Sequence, residues 1–205
     1  MEYLVTMTTR VPAGTADDAV QQVRDREAAR SRELAAEGSL HRLWRPPLQP
    51  GEWRSLGLFS AADEAELDRV LKSMPLRIWR TDDVTPLLPH HNDPHPGDAD
   101  AAAAADRAEF LTTFTVEIPP DAPAQAVSDA EAGESARTSE LAREGSLLRL
   151  WMLDDHSRAL GLWAAPDPEA MQAALTSLPL DQWMTVQTTP LTAHPSDPVR
   201  ATRAG

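Results

Sequence analysis

Along residues 3–11 the side chains of Tyr3, Val5, Met7 and Val11 alternate with Leu4, Thr6, Thr8 and Arg10, a period of two that predicts a β-strand ending at Pro12. Over residues 16–37 the apolar positions Val20, Val23 and Leu34 recur at helical spacing and Gly38 supplies a stop, so a long amphipathic helix follows. Residues 40–45 and 53–59 read as a hairpin around Pro46-Pro47-Leu48-Gln49-Pro50-Gly51. A second helix is predicted over 62–73, where Leu67, Val70 and Leu71 share a face, and a last strand over 79–85. The predicted order is βαββαβ.

The pattern occurs twice. Glu2-Tyr-Leu-Val-Thr is answered by Glu109-Phe-Leu-Thr-Thr, and Glu37-Gly-Ser-Leu-His-Arg-Leu-Trp44 by Glu144-Gly-Ser-Leu-Leu-Arg-Leu-Trp151. The second first-strand uses Phe110, Thr112, Phe114, Val116 and Ile118. After the tryptophans the offset shortens by three residues, so that Gly57-Leu-Phe matches Gly161-Leu-Trp, and Pro75-Leu76 with Trp79 matches Pro179-Leu180 with Trp183. The shorter copy turns through Asp154-Asp155-His156. A period of about one hundred residues is far longer than a solenoid or propeller unit, so the repeat is a domain. The expected division is 1–91 for the first copy, a linker over 92–108 rich in Pro, Gly, Asp and Ala, 109–198 for the second copy, and a tail over 199–205.

The fold class expected is α+β, two tandem ferredoxin-like units, each an antiparallel sheet with both helices on one face. The other face of each sheet needs a cover. Two such sheets packed face to face form a dimeric α+β barrel, and the fused pair is expected to form it within one chain, about a pseudo-two-fold axis.

Composition narrows the function classes. With 205 residues, 41% hydrophobic and no long uncharged run, the chain reads as a soluble, globular, cytoplasmic protein with neither signal peptide nor membrane span. The absence of cysteine excludes disulfides, thiolate catalysis and cysteine-ligated zinc. A net charge of −13 makes nucleic acid and anionic membranes poor partners.

Chemistry is sought where a polar residue interrupts an apolar pattern in both copies. Glu27 falls in the stripe of Val20, Val23 and Leu34, and Glu134 falls among Val127, Ala130 and Leu141, whereas Glu33/Glu140 and Glu37/Glu144 lie toward the solvated side. A carboxyl pressed against an apolar sheet loses hydration and its pKa rises toward the range useful for moving protons. Two readings fit equally: a general acid/base, or a buried structural glutamate satisfied by Arg30 in one copy and Arg137 in the other, each at i+3. His90-His91-Asn92-Asp93-Pro94-His95 has the composition of a metal cluster, but a solvated loop is the stronger reading, since no element is expected to fix its geometry. Two or three of the six tryptophans fit a pocket, though core packing explains them as well. There is no phosphate loop, no Ser-His-Asp pattern, and nothing that requires a nucleotide or flavin; no cofactor and no metal is expected.

The helix bearing Glu27, then Glu37-Gly38, then Leu43-Trp44-Arg45, then Met74-Pro75-Leu76, and finally Leu191-x-x-His194-Pro195-Ser196, resembles the muconolactone Δ-isomerase family over nearly all of each copy. That resemblance implies a ferredoxin-like fold paired into α+β barrels, decamers of single-domain subunits, and a cofactor-free proton shift in an unsaturated lactone of aromatic catabolism. The family's acid/base glutamate matches Glu27 and Glu134. For this chain it implies a small-molecule substrate and a homo-oligomer, a decamer of single domains becoming a pentamer of fused pairs. Arg45 is the candidate anchor for the substrate carboxylate or the developing oxyanion, with His41, Trp44, Arg30 and Trp151 as further substrate-binding candidates.

The copies differ where the first has His41 and Arg45 and the second has Leu148 and Met152. This loss of polarity leads to the expectation that the first copy carries more of the chemistry, Glu134 being a base without an anchor. The departures leave two other readings open: a secondary-metabolite cyclase or double-bond isomerase acting on a larger carbonyl compound, and a non-catalytic barrel that binds a small ligand.

Overall fold

A computed structural model describes residues 1–94, 107–153 and 158–199. The first repeat forms β1 (Glu2–Thr9), α1 (Asp17–Ala36), β2 (Leu40–Arg45), β3 (Arg54–Ser60), α2 (Glu64–Ser73), a short 3-10 turn and β4 (Arg80–Pro89). The second forms β5 (Ala108–Val116), α3 (Ala124–Arg143), β6 (Leu147–Met152), β7 (Arg158–Ala165), α4 (Pro168–Thr176), a second 3-10 turn and β8 (Met184–Ala193). The expected βαββαβ order is therefore present twice.

Local chemistry explains the boundaries. Helices α1 and α3 stop where Gly38 and Gly145 take positive φ values of 77° and 68°. There Ser39 N–H donates to the Leu34 carbonyl and Ser146 N–H to that of Leu141, satisfying carbonyls the last turn leaves open. Asp63 and Asp167 cap α2 and α4 by accepting from the N–H groups of Glu66 and Ala170, each at 2.8 Å.

Contacts sort the chain into two compact units that do not follow the repeat boundary: residues 1–87 with 192–205, and residues 88–191. In the first, β1 pairs antiparallel with β3 and β4, β3 with β2, and Trp44 and Arg45 of β2 with Ala193 and Thr192. In the second, β5 pairs with β7 and β8, β7 with β6, and Trp151 and Met152 of β6 with Pro89 and Leu88. Strands β4 and β8 thus each serve one unit and then the other. The hydrogen-bonded order is β1-β3-β2-β8-β5-β7-β6-β4, with β4 bonded again to β1, the strand connectivity of the α+β barrel class.

Each unit has its own core beneath its helices. In the first it is built on Tyr3, Val5, Leu34, Leu43, Phe59, Leu67 and Leu71. In the second the matched residues include Phe110, Phe114, Leu141, Leu150, Trp163, Met171 and Leu175. Residues of the other sheet face, such as Leu4, Trp44, Leu56 and Leu58, are buried as well. A pair of substitutions between the copies shows how polarity is balanced: Val5 and Phe59 become Thr112 and Trp163, and the indole N–H donates to the Thr112 hydroxyl at 2.8 Å. Gly57 and Gly161 lie where an added Cβ would meet the rings of Phe59 and Trp163, so the bare backbone gives each ring its seat. Of the expected linker, residues 95–106 lie outside the described residues, as do Asp154, Asp155, His156 and most of the expected tail.

Candidate active site

Glu27 projects from the middle of α1 and is buried, as its place in the apolar stripe requires. The Arg30 partner anticipated for it is not the one it has. Arg30 turns outward to Glu33 and Glu37, at 2.9 and 3.1 Å, and to the Ser73 hydroxyl. Instead Glu27 Oε1 accepts from Arg80 Nη1 at 2.9 Å, and Oε2 accepts from the Leu76 backbone N–H at 2.8 Å. The Arg80 side chain is 1% exposed; it also donates to Asp82 Oδ2 at 3.2 Å and to the Leu71 carbonyl. Its Nε lies 2.6 Å from Asp82 Oδ1, a charge contact without hydrogen-bond alignment. Burial pushes the Glu27 carboxyl above its ordinary pKa, the Leu76 N–H and the Arg80 charge oppose that rise, and Asp82 adds to it.

Glu134 occupies the same place on α3, and the Leu180 N–H donates to its Oε2 at 3.1 Å. The positions that match Arg80 and Asp82 are Met184 and Val186. Among the described residues Glu134 therefore has no ion pair. Burial pushes its pKa up, only the Leu180 N–H opposes, and nearby Asp181 pushes it further.

The cavities differ in the same sense. Glu27 lines one of about 200 Å³, with Arg24, Arg45, Trp53 and His194. Glu134 lines one of about 960 Å³, walled by Phe114, Leu150, Met152, Trp163 and Met184 and carrying Arg158, Thr138, His90 and His91. Trp53 and Trp163 are the tryptophans that face these cavities. Trp44 and Trp151 line neither; they are 1% and 2% exposed, packed in the sheet beneath the guanidinium groups of Arg42 and Arg149, 4.7 Å above each ring. His41 is exposed and bonds the Ser60 hydroxyl, outside both cavities, because its strand position points it away from the helices. Of the expected site residues the structure thus gathers Glu27 with Arg45 in one unit and places Glu134 in the other, while His41, Trp44, Arg30 and Trp151 stand elsewhere.

The segment read as a solvated loop is instead anchored. Asp93 accepts from the Leu150 N–H at 2.6 Å and from Arg149 Nη2 at 3.1 Å, and Asp197 repeats this with Leu43 at 2.9 Å and Arg42 at 3.2 Å. These clamps bring His90 to the Glu134 cavity and His194 to the Glu27 cavity. No group of metal-ligating residues is present among the described residues. The sequence carries a signal for this pairing: His90-x-x-Asp93 and His194-x-x-Asp197 stand at the offset that relates Trp79 to Trp183.

Burial, with His91 beside it, lowers the His90 pKa to about 4, and burial with Arg45 and Arg24 lowers that of His194 to about 4. Between pH 6.5 and 4 the unfolded chain binds protons that the folded imidazoles refuse, so this stabilisation is complete above about 6.5 and is lost as pH falls toward 4. The raised glutamates act in the opposite sense. A His90→Gln/His194→Gln variant is expected to show a shallower loss of urea midpoint than the parent across that window, and parallel profiles would assign the acid sensitivity elsewhere.

A family model described as muconolactone delta-isomerase matches residues 1–93 and again 108–197. The muconolactone Delta-isomerase of Pseudomonas aeruginosa is 34% identical over 87 residues, 42% of this chain and 91% of that protein. That of Acinetobacter lwoffii is 29% identical over 87 residues, again 42% of this chain and 91% of the relative. Among solved structures, a heme-binding protein from Thermus thermophilus matches with a TM-score of 0.57 at 12% identity, over 100% of this chain and 96% of that one. The chlorite dismutase of Candidatus Nitrospira defluvii matches at 0.55 and 10% identity, over 100% and 95%. At such identities these two likenesses concern the fold alone. No helix among the described residues is long and apolar enough to cross a membrane. With the family model matched once in each repeat and across most of the sequence, the chain belongs to the muconolactone delta-isomerase family, as a tandem pair of its domains.

Proposed function

We propose that the chain is a cofactor-independent isomerase that shifts a proton, and with it a double bond, in an unsaturated lactone or related carbonyl compound, with Glu134 as the acid/base group. The observation that carries this reading is the half-buried carboxyl of Glu134, without an ion pair among the described residues, on the wall of a cavity of about 960 Å³. The carboxylate takes the proton made acidic by the conjugated carbonyl, the C–H electron pair enters a dienolate, and the same carboxyl returns the proton two carbons along. One base suffices and no redox change occurs. The cavity lies near the upper end of the range for small-molecule pockets, about 300–1,000 Å³, and its apolar wall favours a substrate with a hydrophobic body beside the reacting carbonyl. Arg158 also lines this cavity.

Glu27 remains the second candidate, with Arg45 beside it. Its ion pair with Arg80 and the small cavity favour a structural or simple ligand-binding role for the first unit, the reverse of the asymmetry expected from His41 and Arg45.

The test is proton NMR in D₂O with muconolactone and a graded series of larger unsaturated lactones and enones. Deuterium should enter the α or γ carbon of at least one of them with the parent protein and not with Glu134→Gln. Exchange that is equal in both proteins, or absent for the whole series, would reject the reading. The family reading also implies a homo-oligomer, and light scattering at the mass of a single chain would remove that part of it.

A further inference from the structure

We propose that His90 is a second catalytic group of the Glu134 site, its Nε2–H donating a hydrogen bond to the oxygen of the enolate formed when Glu134 removes a proton. The inference rests on Glu134 being the base, and the same unsaturated carbonyl compounds are its ligand class.

A dienolate in an apolar cavity needs a fixed donor at its oxygen, because a charge developing without one is costly and a donor held in place beforehand needs no reorganisation. The loop of His90 is built to hold one. The Asn92 backbone N–H donates to His90 Nδ1 at 3.0 Å, so Nδ1 is the acceptor and the ring proton must sit on Nε2. Among the described residues Nε2 has no partner, and the ring lines the cavity that Glu134 also lines. The loop cannot swing freely, since Asp93 ties it to the Leu150 N–H and to Arg149.

The arrangement recurs within the chain. The Ser196 N–H donates to His194 Nδ1 at 3.1 Å, fixing the same tautomer, and Asp197 supplies the same clamp. Two loops of different sequence, His-His-Asn-Asp and His-Pro-Ser-Asp, keep the histidine and the aspartate and change what lies between. A purely structural loop would need the aspartate; the histidine is the residue the two loops share that also lines each cavity. Burial keeps the His90 ring neutral near pH 7. A neutral imidazole is suited to polarising a carbonyl while a carboxylate acts as base, because it stabilises the enolate without protonating the base beside it.

The experiment uses the full chain and 2-naphthol, a fluorescent phenol whose ionised form mimics a conjugated enolate in shape and charge. Affinity is measured with Glu134→Gln in place, so that the base does not compete for the phenol proton. His90→Phe keeps a ring and loses the donor; His90→Gln keeps an acceptor for the Asn92 N–H and an amide donor. The expected result is naphthol affinity about tenfold weaker with His90→Phe and within about threefold of the parent with His90→Gln. On any exchanging substrate of the D₂O series, His90→Phe should lower kcat about 10²-fold with a smaller change in KM. Three results overturn the inference: no naphthol binding when His90 is intact, equal effects of Phe and Gln, or the loss appearing with Arg158→Gln instead. If Glu134→Gln leaves exchange intact, the reading of Glu134 has failed; if it abolishes exchange and the His90 variants are silent, only the role of His90 has.

Discussion

Glu134→Gln is expected to lower turnover about 10³-fold, while Glu27→Gln leaves it within about threefold. The substitution keeps volume and one acceptor for the Leu180 N–H but removes the group that carries the proton. In Glu134 no cation must be displaced before the carboxyl takes a proton, and Asp181 makes proton uptake easier. In Glu27 the oxygen that would accept the proton already holds Arg80 Nη1 at 2.9 Å, and Arg80 is itself held by Asp82. Stability should also separate the two. A raised carboxyl pKa disfavours the fold at pH values above that pKa and ceases to do so as pH falls below the unfolded value, so Glu134→Gln should be neutral or stabilising at neutral pH. Steady-state kinetics of both single variants on one exchanging substrate decides the matter. Equal losses would mean two working sites, and a loss confined to Glu27→Gln would restore the asymmetry read from His41 and Arg45.

That asymmetry marks where the sequence stops being informative. The element order is legible because its signals are local: the period of two in Tyr3-x-Val5-x-Met7, the helical spacing of Val23 and Leu34, and the stop at Gly38. Glu27 and Glu134 are legible for the same reason, since a polar residue in an apolar stripe is visible on a helical wheel. The ends of β4 and β8 are not. Both run beyond the expected length because Pro89 and Ala193 find partners in Trp151 and Trp44, far away in sequence, and pairing of that kind leaves no periodic trace. The placement of His90 and His194 at the cavities is hidden with those ends, and the sequence shows only that the two His-x-x-Asp segments share the repeat offset. Arg80 gives no signal because it begins a strand, where one polar residue breaks no pattern. His41 and Arg45 show polarity without direction: His41 bonds Ser60, outside both cavities, and of the two Arg45 lines the small one.

The largest stability effect should come from Arg80→Met. Arg80 is the cation between two buried acids, with side chains of Glu27 and Asp82 only 12% and 4% exposed. Removing it leaves the Leu76 N–H for Glu27 and, for Asp82, Arg77 Nε at 3.6 Å. Two carboxyls without their shared counter-ion should cost the fold about 3–5 kcal/mol at neutral pH. The cost should shrink as pH is lowered and Glu27, whose pKa burial already raises, takes up a proton, which urea unfolding at pH 7 and pH 5 would read directly. The second unit indicates how the loss is repaired, since Met184 and Val186 stand there in place of Arg80 and Asp82 beside a glutamate that keeps its backbone donor. Arg80→Met/Asp82→Val should therefore recover part of the loss, because it removes one of the two acids left without a counter-ion and leaves Glu27 with the Leu76 N–H, as Glu134 is left with that of Leu180. A single variant as stable as the parent would mean that the ion pairs do not hold the first unit together. A double variant no better than the single would mean that the two units balance their buried glutamates by different packing and cannot exchange solutions.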